Sequence, residues 1–397
     1  MNHLRALMIA ASMLAGICVS AIEPDSIADS TALPTAVVSD TVQPQVKKRS
    51  LITRITDYFK ESNKPKEYKS FDFSIIGGPH YSSDTRFGVG LVAAGFYRQN
   101  LTDSITTPSN ISLYGDVSTV GFYMVGIRGN HIFPLDRQRI DYNLYFYSFP
   151  RKFWGIGFDQ GNDMSNASKF NEVFVRASIN YLHELVPHLF LGPGAEFTYA
   201  HASKMQRPEL WQGQDLHTAT YGIGLKLQYD TRDNLTATES GILASLEQRF
   251  SPKFLGNDYA FSYTNLKFCY FRHLWRGSVI AGQLQGKFNY GNVPWAMMAT
   301  FGGSNNMRGY YEGRFRDKCS MDFTIELRQH VWRRNGLVLW AGVGTVFPRF
   351  SELQFRRLLP NGGIGYRWEF KQRTNVRLDF GMGKGETAFI FSINEAF

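Results

Sequence analysis

The sequence predicts an all-β protein: a 16-stranded antiparallel transmembrane β-barrel preceded by a short N-terminal amphipathic helix. Three observations predict it. From Phe71 onward, apolar and polar residues alternate with a period of two, and successive side chains on a strand point to opposite faces. Aromatic residues make up 15% of the 397-residue chain, yet its mean hydropathy is only -0.25. A membrane barrel spreads apolar residues among polar ones and produces that average. The one long uncharged apolar run lies between Ala6 and Ile22. A membrane-crossing helix needs about 20 apolar residues, and nothing downstream supplies them.

Residues 1–21 read as a secretory signal. Arg5 is its positive end, Ala6 to Ile17 its apolar stretch, and Val19-Ser20-Ala21 a small-residue cleavage site. A lipid-modified start at Cys18 is the rival, but it wants a small residue before the cysteine and Ile17 stands there. Cleavage removes one basic residue and no acid, so the formal net charge falls from +9 to +8. Residues 22–46 are rich in Pro, Ser, Thr and Asp without any period, the composition of a disordered linker. Residues 47–70 differ: eight Lys/Arg face three acids, and Leu51, Ile52, Ile55, Tyr58 and Phe59 fall at helical spacing behind the candidate cap Ser50. They read as a basic amphipathic helix. It either touches an anionic membrane surface or the barrel mouth, or is a solvated connector.

Residues 71–397 carry the barrel. In His217 to Asp230, Ala219, Tyr221, Ile223, Leu225, Leu227 and Tyr229 share one face, while Thr218, Thr220, Lys226, Gln228 and Asp230 share the other. The pattern returns as Phe323, Ile325 and Leu327 against Thr324, Glu326 and Arg328. It returns again as Ile364, Tyr366, Trp368 and Phe370 against Gly365, Arg367 and Glu369, and as Val376, Leu378 and Phe380 against Arg377 and Asp379. Sixteen segments begin near Phe71, Arg86, Asn110, Gly121, Gln138, Asn171, His188, His217, Gly241, Asp258, Arg276, Ser320, Gly336, Asn361, Arg373 and Thr387. The stretch Tyr147–Phe170 resists placement. An even number lets the two edges meet antiparallel and leaves none open.

Alternation alone also suits a soluble sandwich with its charged face in water. The export signal and the density of strands favour the barrel. Arg333-Arg334-Asn335-Gly336 and Lys371-Gln372-Arg373 read as tight turns at one end. Gly291–Cys319, Phe347–Pro360, His201–Leu216 and Asp159–Phe170 read as long loops at the other.

Enzymatic motifs are missing. There is no Gly-x-Ser-x-Gly, Cys-x-x-Cys or His-Glu-x-x-His, and no phosphate-cradling glycine loop before a helix. His183 and His188 flank a turn but find no third ligand, so no catalytic residue, metal or cofactor is expected. An outer-membrane lipid hydrolase would need a Ser–His pair on one outward face, and none stands out. The basic excess is diffuse in an exported chain, which suits anionic lipid and lipopolysaccharide better than nucleic acid. Two cysteines, Cys269 and Cys319, remain after cleavage. They are no disulfide framework, and their pairing stays open.

Four stretches carry a resemblance. Tyr229-Asp230-Thr231-Arg232-Asp233-Asn234 followed by Gly241 is a strand-end turn in which Asp230, Arg232 and Asp233 satisfy the backbone rather than form a catalytic cluster. Gly302-Gly303-Ser304-Asn305-Asn306-Met307-Arg308-Gly309-Tyr310 sits in the longest loop. Ile325-Glu326-Leu327-Arg328 and Val343-Gly344-Thr345-Val346-Phe347 follow it. Gly363-Ile364-Gly365-Tyr366-Arg367 and Arg377-Leu378-Asp379 lead to a last strand ending at Phe397. In this order, over about 225 to 397, the chain resembles BamA/TamA-type outer-membrane barrels, the bacterial surface antigens. Residues 71 to 220 resemble them only in strand pattern.

The resemblance implies a Gram-negative outer-membrane location and a role in inserting or translocating proteins or lipids. A passive pore or structural barrel is the alternative. It implies that Gly302, Gly303, Gly309 and Tyr310 shape a loop folded into the lumen, where Arg308 meets Glu326. The second carboxylate of the family would fall at Gly342, which has none, so Arg308 has one partner or Glu369 or Asp379 substitutes. Phe389, Phe391, Ile393 and Phe397 are expected to share one face of the last strand as its assembly signal, with Glu395 at the interface. The family's weakly zipped seam would fall around Phe71–Pro79 and Thr387–Phe397. Residues 22–70 are too few for even one polypeptide-transport-associated domain. Either a separate periplasmic partner or chaperone delivers the client, itself unknown, or this is a reduced barrel with a different task; a homo-oligomer stays open.

Overall fold

The structure, a computed structural model, describes residues 71–82, 86–97, 108–371 and 373–397. The expected signal, linker and basic helix lie outside the described residues. The first strands are β1 (Phe71–Ser82), β2 (Arg86–Tyr97), β3 (Ser109–Ser118), β4 (Tyr123–Ile132) and β5 (Gln138–Phe153). There follow β6 (Ser168–Val186), β7 (Leu189–Ser203), β8 (His217–Asp230), β9 (Gly241–Ser251), β10 (Phe261–His273) and β11 (Ser278–Gly291). The last are β12 (Cys319–Trp332), β13 (Asn335–Phe347), β14 (Leu359–Lys371), β15 (Thr374–Gly383) and β16 (Glu386–Ile393).

Each strand pairs antiparallel with the next in one 16-stranded sheet. The sheet curls until β16 lies beside β1, and among the described residues no paired register joins the two. The stretch that resisted placement resolves into long strands: β5 runs to Phe153, a short helix α1 (Phe158–Asn162) follows, and β6 resumes at Ser168. Links 187–188 and 333–334 are tight and share one end of the barrel, while 154–167, 204–216, 292–318 and 348–358 gather at the other; the expected turn at Lys371-Gln372-Arg373 includes Gln372, which lies outside the described residues. At that second end Phe153, Phe170, Phe174, Leu210, Trp211 and Trp295 pack into an apolar cap.

The two faces are inverted relative to a water-soluble sheet. Tyr221, Ile223, Leu225, Leu227 and Tyr229 are exposed, as are Phe323, Ile325, Leu337, Leu339, Ile364, Tyr366 and Phe380. Thr324, Glu326, Arg328, Arg367, Arg377 and Asp379 are buried. Charges in a dry interior are expensive unless paired, so this arrangement is stable only where the outer face meets hydrocarbon. The pattern excludes the soluble sandwich. Leu225→Arg, on a side chain 55% exposed, is accordingly expected to destabilise the barrel by about 2–4 kcal/mol if it lies near the bilayer midplane. Unfolding titrations in lipid measure this; a soluble surface would register almost nothing.

Two expectations change. The alternation of β16 stops at Ile393. Asn394 adopts φ 68 and turns the chain inward. Phe397 therefore leaves the face of Phe389, Phe391 and Ile393 and packs on the interior cluster of Leu243, Cys269, Phe271 and Ala281. Glu395 is drawn in with it and does not sit at the interface: Arg367 Nε donates to it at 2.8 Å and Asn375 Nδ2 at 2.7 Å. Cys269 and Cys319 are both free and buried in different apolar clusters.

Candidate functional site

The loop 292–318 folds back into the barrel. A two-residue ladder, Ala299–Thr300 against Arg316–Asp317, closes its neck. Beyond the neck, Phe301, Met307, Tyr310 and Phe315 join Phe158 of α1, Val346 of β13 and Leu359 of β14 in a buried cluster. Gly302 and Gly303, at φ 105 and 93, make the turn into the tip, and Gly303 N–H donates to the Tyr310 carbonyl at 3.1 Å. Tyr310 fastens the far side: its hydroxyl donates to the Pro360 carbonyl at 2.7 Å and accepts from Lys384 N–H at 2.8 Å.

The tip delivers Arg308 to two carboxylates on strands that are not neighbours. Nη2 donates to Glu326 Oε1 of β12, and Nη1 donates to Asp379 Oδ2 of β15 at 2.6 Å. The three side chains are 1%, 0% and 0% exposed. The guanidinium lies 3.9 Å from the Trp340 ring centroid, and Asn361 Nδ2 donates to the Arg308 carbonyl at 3.0 Å. Charge-assisted bonds from a forked cation to two desolvated carboxylates are strong and directional, so one side chain clamps two walls of the lumen.

The wall is cut back to receive the tip. A Cβ at Gly381 would come within 2.8 Å of the Arg308 carbonyl carbon, and one at Gly383 within 2.6 Å of the Tyr310 ring. At Gly342 a Cβ would meet Asn361 Oδ1 at 2.4 Å. The residue that cannot supply a carboxylate makes room for the amide that holds Arg308.

Of the two substitutes, the structure selects Asp379. Glu369 sits at the strand end beside a register shift, where its carboxylate accepts from Arg373 N–H at 3.0 Å. Sequence reasoning missed Trp340, Asn361, Gly381 and Gly383. It also saw Arg367 and Arg377 only as members of a polar face. Arg367 Nη1 donates to Asp379 Oδ1 at 2.5 Å, and Arg377 Nη2 donates to the Ser304 carbonyl at 2.9 Å. The one available signal was Gly381-Met382-Gly383, where both inward positions of the strand lack side chains.

The other predicted residues lie apart from this site. Asp230 accepts from Arg232 Nε at 2.8 Å and from Arg139 Nη1 at 3.3 Å, and thereby closes the β8–β9 link. Asp233 caps Glu239 N–H and Ser240 N–H at 3.0 and 3.1 Å and pairs with Arg373. Burial pushes the Asp233 carboxyl up, but Arg373 and the two N–H donors outweigh it and hold it below the ordinary carboxylate value. Phe389 and Phe391 stand opposite Phe380 and Leu378 on the outer face of β16.

A family profile described as the Omp85 superfamily domain matches residues 97–395. No curated protein matches the sequence. Among solved structures, the crystal structure of BamA from Haemophilus ducreyi lacking POTRA domains 1-3 is similar. It has a TM-score of 0.53 at 13% identity, and the match covers 83% of this chain and 71% of that one. CdiB from Escherichia coli matches with a TM-score of 0.54 at 9% identity, covering 83% of this chain and 60% of that one. At these identities the likeness is one of fold.

Proposed function

Starting from a chain that belongs to the Omp85 superfamily and folds as its outer-membrane barrels do, we propose that it assists the insertion or translocation of proteins or lipids at the outer membrane of a Gram-negative bacterium. The observation that carries the reading is the lumen loop, clamped by Arg308 between Glu326 and Asp379. A loop seated this deeply narrows the channel that a wide passive pore keeps open, and it suits a barrel that must stay sealed while it handles a client.

The seam supports the same reading. β1 and β16, the first and last strands of the sheet, lie side by side and form the seam. Gly77, Gly78 and Pro79 lie within β1, and proline cannot donate to a ladder. A client strand or lipid then enters laterally at β1–β16 while the loop keeps the lumen closed. Anionic lipid, lipopolysaccharide and a periplasmic delivery partner are the associates proposed.

Reconstitution into liposomes tests this. The purified protein should accelerate the integration of an unfolded client barrel, and a disulfide engineered between β1 and β16 should abolish most of that gain until reductant is added. No acceleration, or full activity with the seam locked, sinks the proposal.

A further inference from the structure

The carboxylates that hold Arg308 are themselves shared. Glu326 Oε2 accepts from Arg328 Nε at 2.9 Å, and Arg328 Nε lies 3.9 Å from Glu395 Oε2. Glu395 accepts from Arg367 Nε at 2.8 Å, Arg367 Nη1 reaches Asp379 Oδ1 at 2.5 Å, and Asp379 returns to Arg308 at 2.6 Å. Six residues close a ring in which guanidinium and carboxylate alternate, and none of the six side chains is more than 10% exposed. Within the ring three cations meet three anions and each carboxylate sits between two ring arginines, while Arg377 Nε adds a fourth cation 3.8 Å from Asp379 Oδ2.

The ring joins three parts of the molecule: the loop tip, the walls β12, β14 and β15, and the segment after β16. Glu395 is brought to it by the turn at Asn394 and by Asn394 N–H donating to the Asn375 carbonyl at 2.7 Å. The Phe397 ring, 5.1 Å from the Arg328 guanidinium, packs beneath it. Among the described residues Glu395 touches no part of loop 292–318; it reaches Arg308 only through Arg328 and Arg367.

We propose that Glu395 is a positioning residue for the lumen loop, so that undocking of Arg308 and release of the segment after β16 are one coupled event. The coupling follows from the shared partners. Without the Glu395 charge, the three ring guanidinia and Arg377 face only two carboxylates in a desolvated space, and Arg328 and Arg367 compete with Arg308 for Glu326 and Asp379. Arg308 is the one ring cation carried by a loop rather than a wall strand, so it is the one displaced. Conversely, loss of Arg308 draws Arg328 and Arg367 toward Glu326 and Asp379 and loosens their hold on Glu395. The inference rests on the functional reading above, in which the loop state must follow the state of the seam strand.

Hydrogen exchange of the refolded protein in lipid nanodiscs tests it. Glu395→Gln should speed exchange of peptides spanning 302–311 by at least about tenfold, and Glu395→Asp should restore most of the protection. Reciprocally, Arg308→Ala should speed exchange at Asn394 and Glu395, whose amides it does not touch. This arm stands even if Glu395→Gln fails to fold. Unchanged loop exchange in Glu395→Gln, or an unchanged 394–395 segment in Arg308→Ala, overturns the coupling. Acceleration spread evenly into β5–β8 marks general loosening and overturns it too. The measurement needs no client. Coupled exchange without client insertion therefore defeats the functional reading alone, and insertion with uncoupled exchange defeats this inference alone.

Discussion

Arg308→Ala is expected to turn a low, flickering single-channel conductance in planar bilayers into a larger and steadier one. The substitution removes the one side chain that ties the loop to both β12 and β15. Breaking a buried ion pair from one side costs about 3–5 kcal/mol, because the carboxylates left behind stay desolvated. Here that cost falls on the docked loop more than on the barrel. Glu326 keeps Arg328 and Asp379 keeps Arg367, both within 3.0 Å, so the walls remain neutralised and the sheet should still refold. The loop then depends on the Tyr310 cluster and on weaker ties such as Arg377 to the Ser304 carbonyl and Tyr311 N–H to Glu386, and spends time away from the lumen. Equal conductance in the two proteins would show that Arg308 does not hold the plug. A large, steady conductance already present without the mutation would favour the passive pore.

Gly309→Val should reproduce that phenotype without touching a charge. Gly309 sits at φ 113, a region that costs a branched residue about 1–3 kcal/mol. A Cβ there would lie 2.6 Å from the carbonyl carbon of Met382, 2.8 Å from its nitrogen and 2.9 Å from Gly383 N. All three are backbone atoms of a zipped wall strand and cannot give way. The tip must withdraw, and Arg308 with it. Limited trypsin digestion reads this directly: the bond after Arg308 should resist cleavage in the parent protein and be cut in the variant. Protection equal to the parent would mean that β15 yields and that the seat is softer than its geometry.

How much of this was legible follows from which contacts are local. The barrel was, because lipid and lumen impose opposite demands on alternate residues and the demand repeats along every strand. The faces of β8, β12 and β15 read correctly from Tyr221, Phe323 and Phe380 for that reason. Tyr147–Phe170 did not, because β5 and β6 run on past the membrane into an apolar cap, where both faces are covered and the alternation fades. The pairing of Arg308 with Glu326 was suggested by the resemblance and by the polar face of β12. The choice between Glu369 and Asp379 was not available. Both are inward by parity, and only register decides that one lies deep in the wall and the other at the turn. Phe397 was misplaced because alternation was extended through Asn394, and a single positive φ ends it.

The clamp also carries a consequence for the order of folding. Arg308 is separated by 18 residues from Glu326 and by 71 from Asp379, so closing its two bonds is a non-local step with a large entropic cost. The loop emerges from the ribosome well before β15 does. It cannot seat until β12 through β15 have paired, because the floor of its seat is Gly381 and Gly383. A partly assembled sheet therefore carries an unanchored loop, and a seated loop certifies that the wall around it is finished. The same side chain that seals the mature lumen thus serves during biogenesis as a late checkpoint, set only when the barrel is nearly complete.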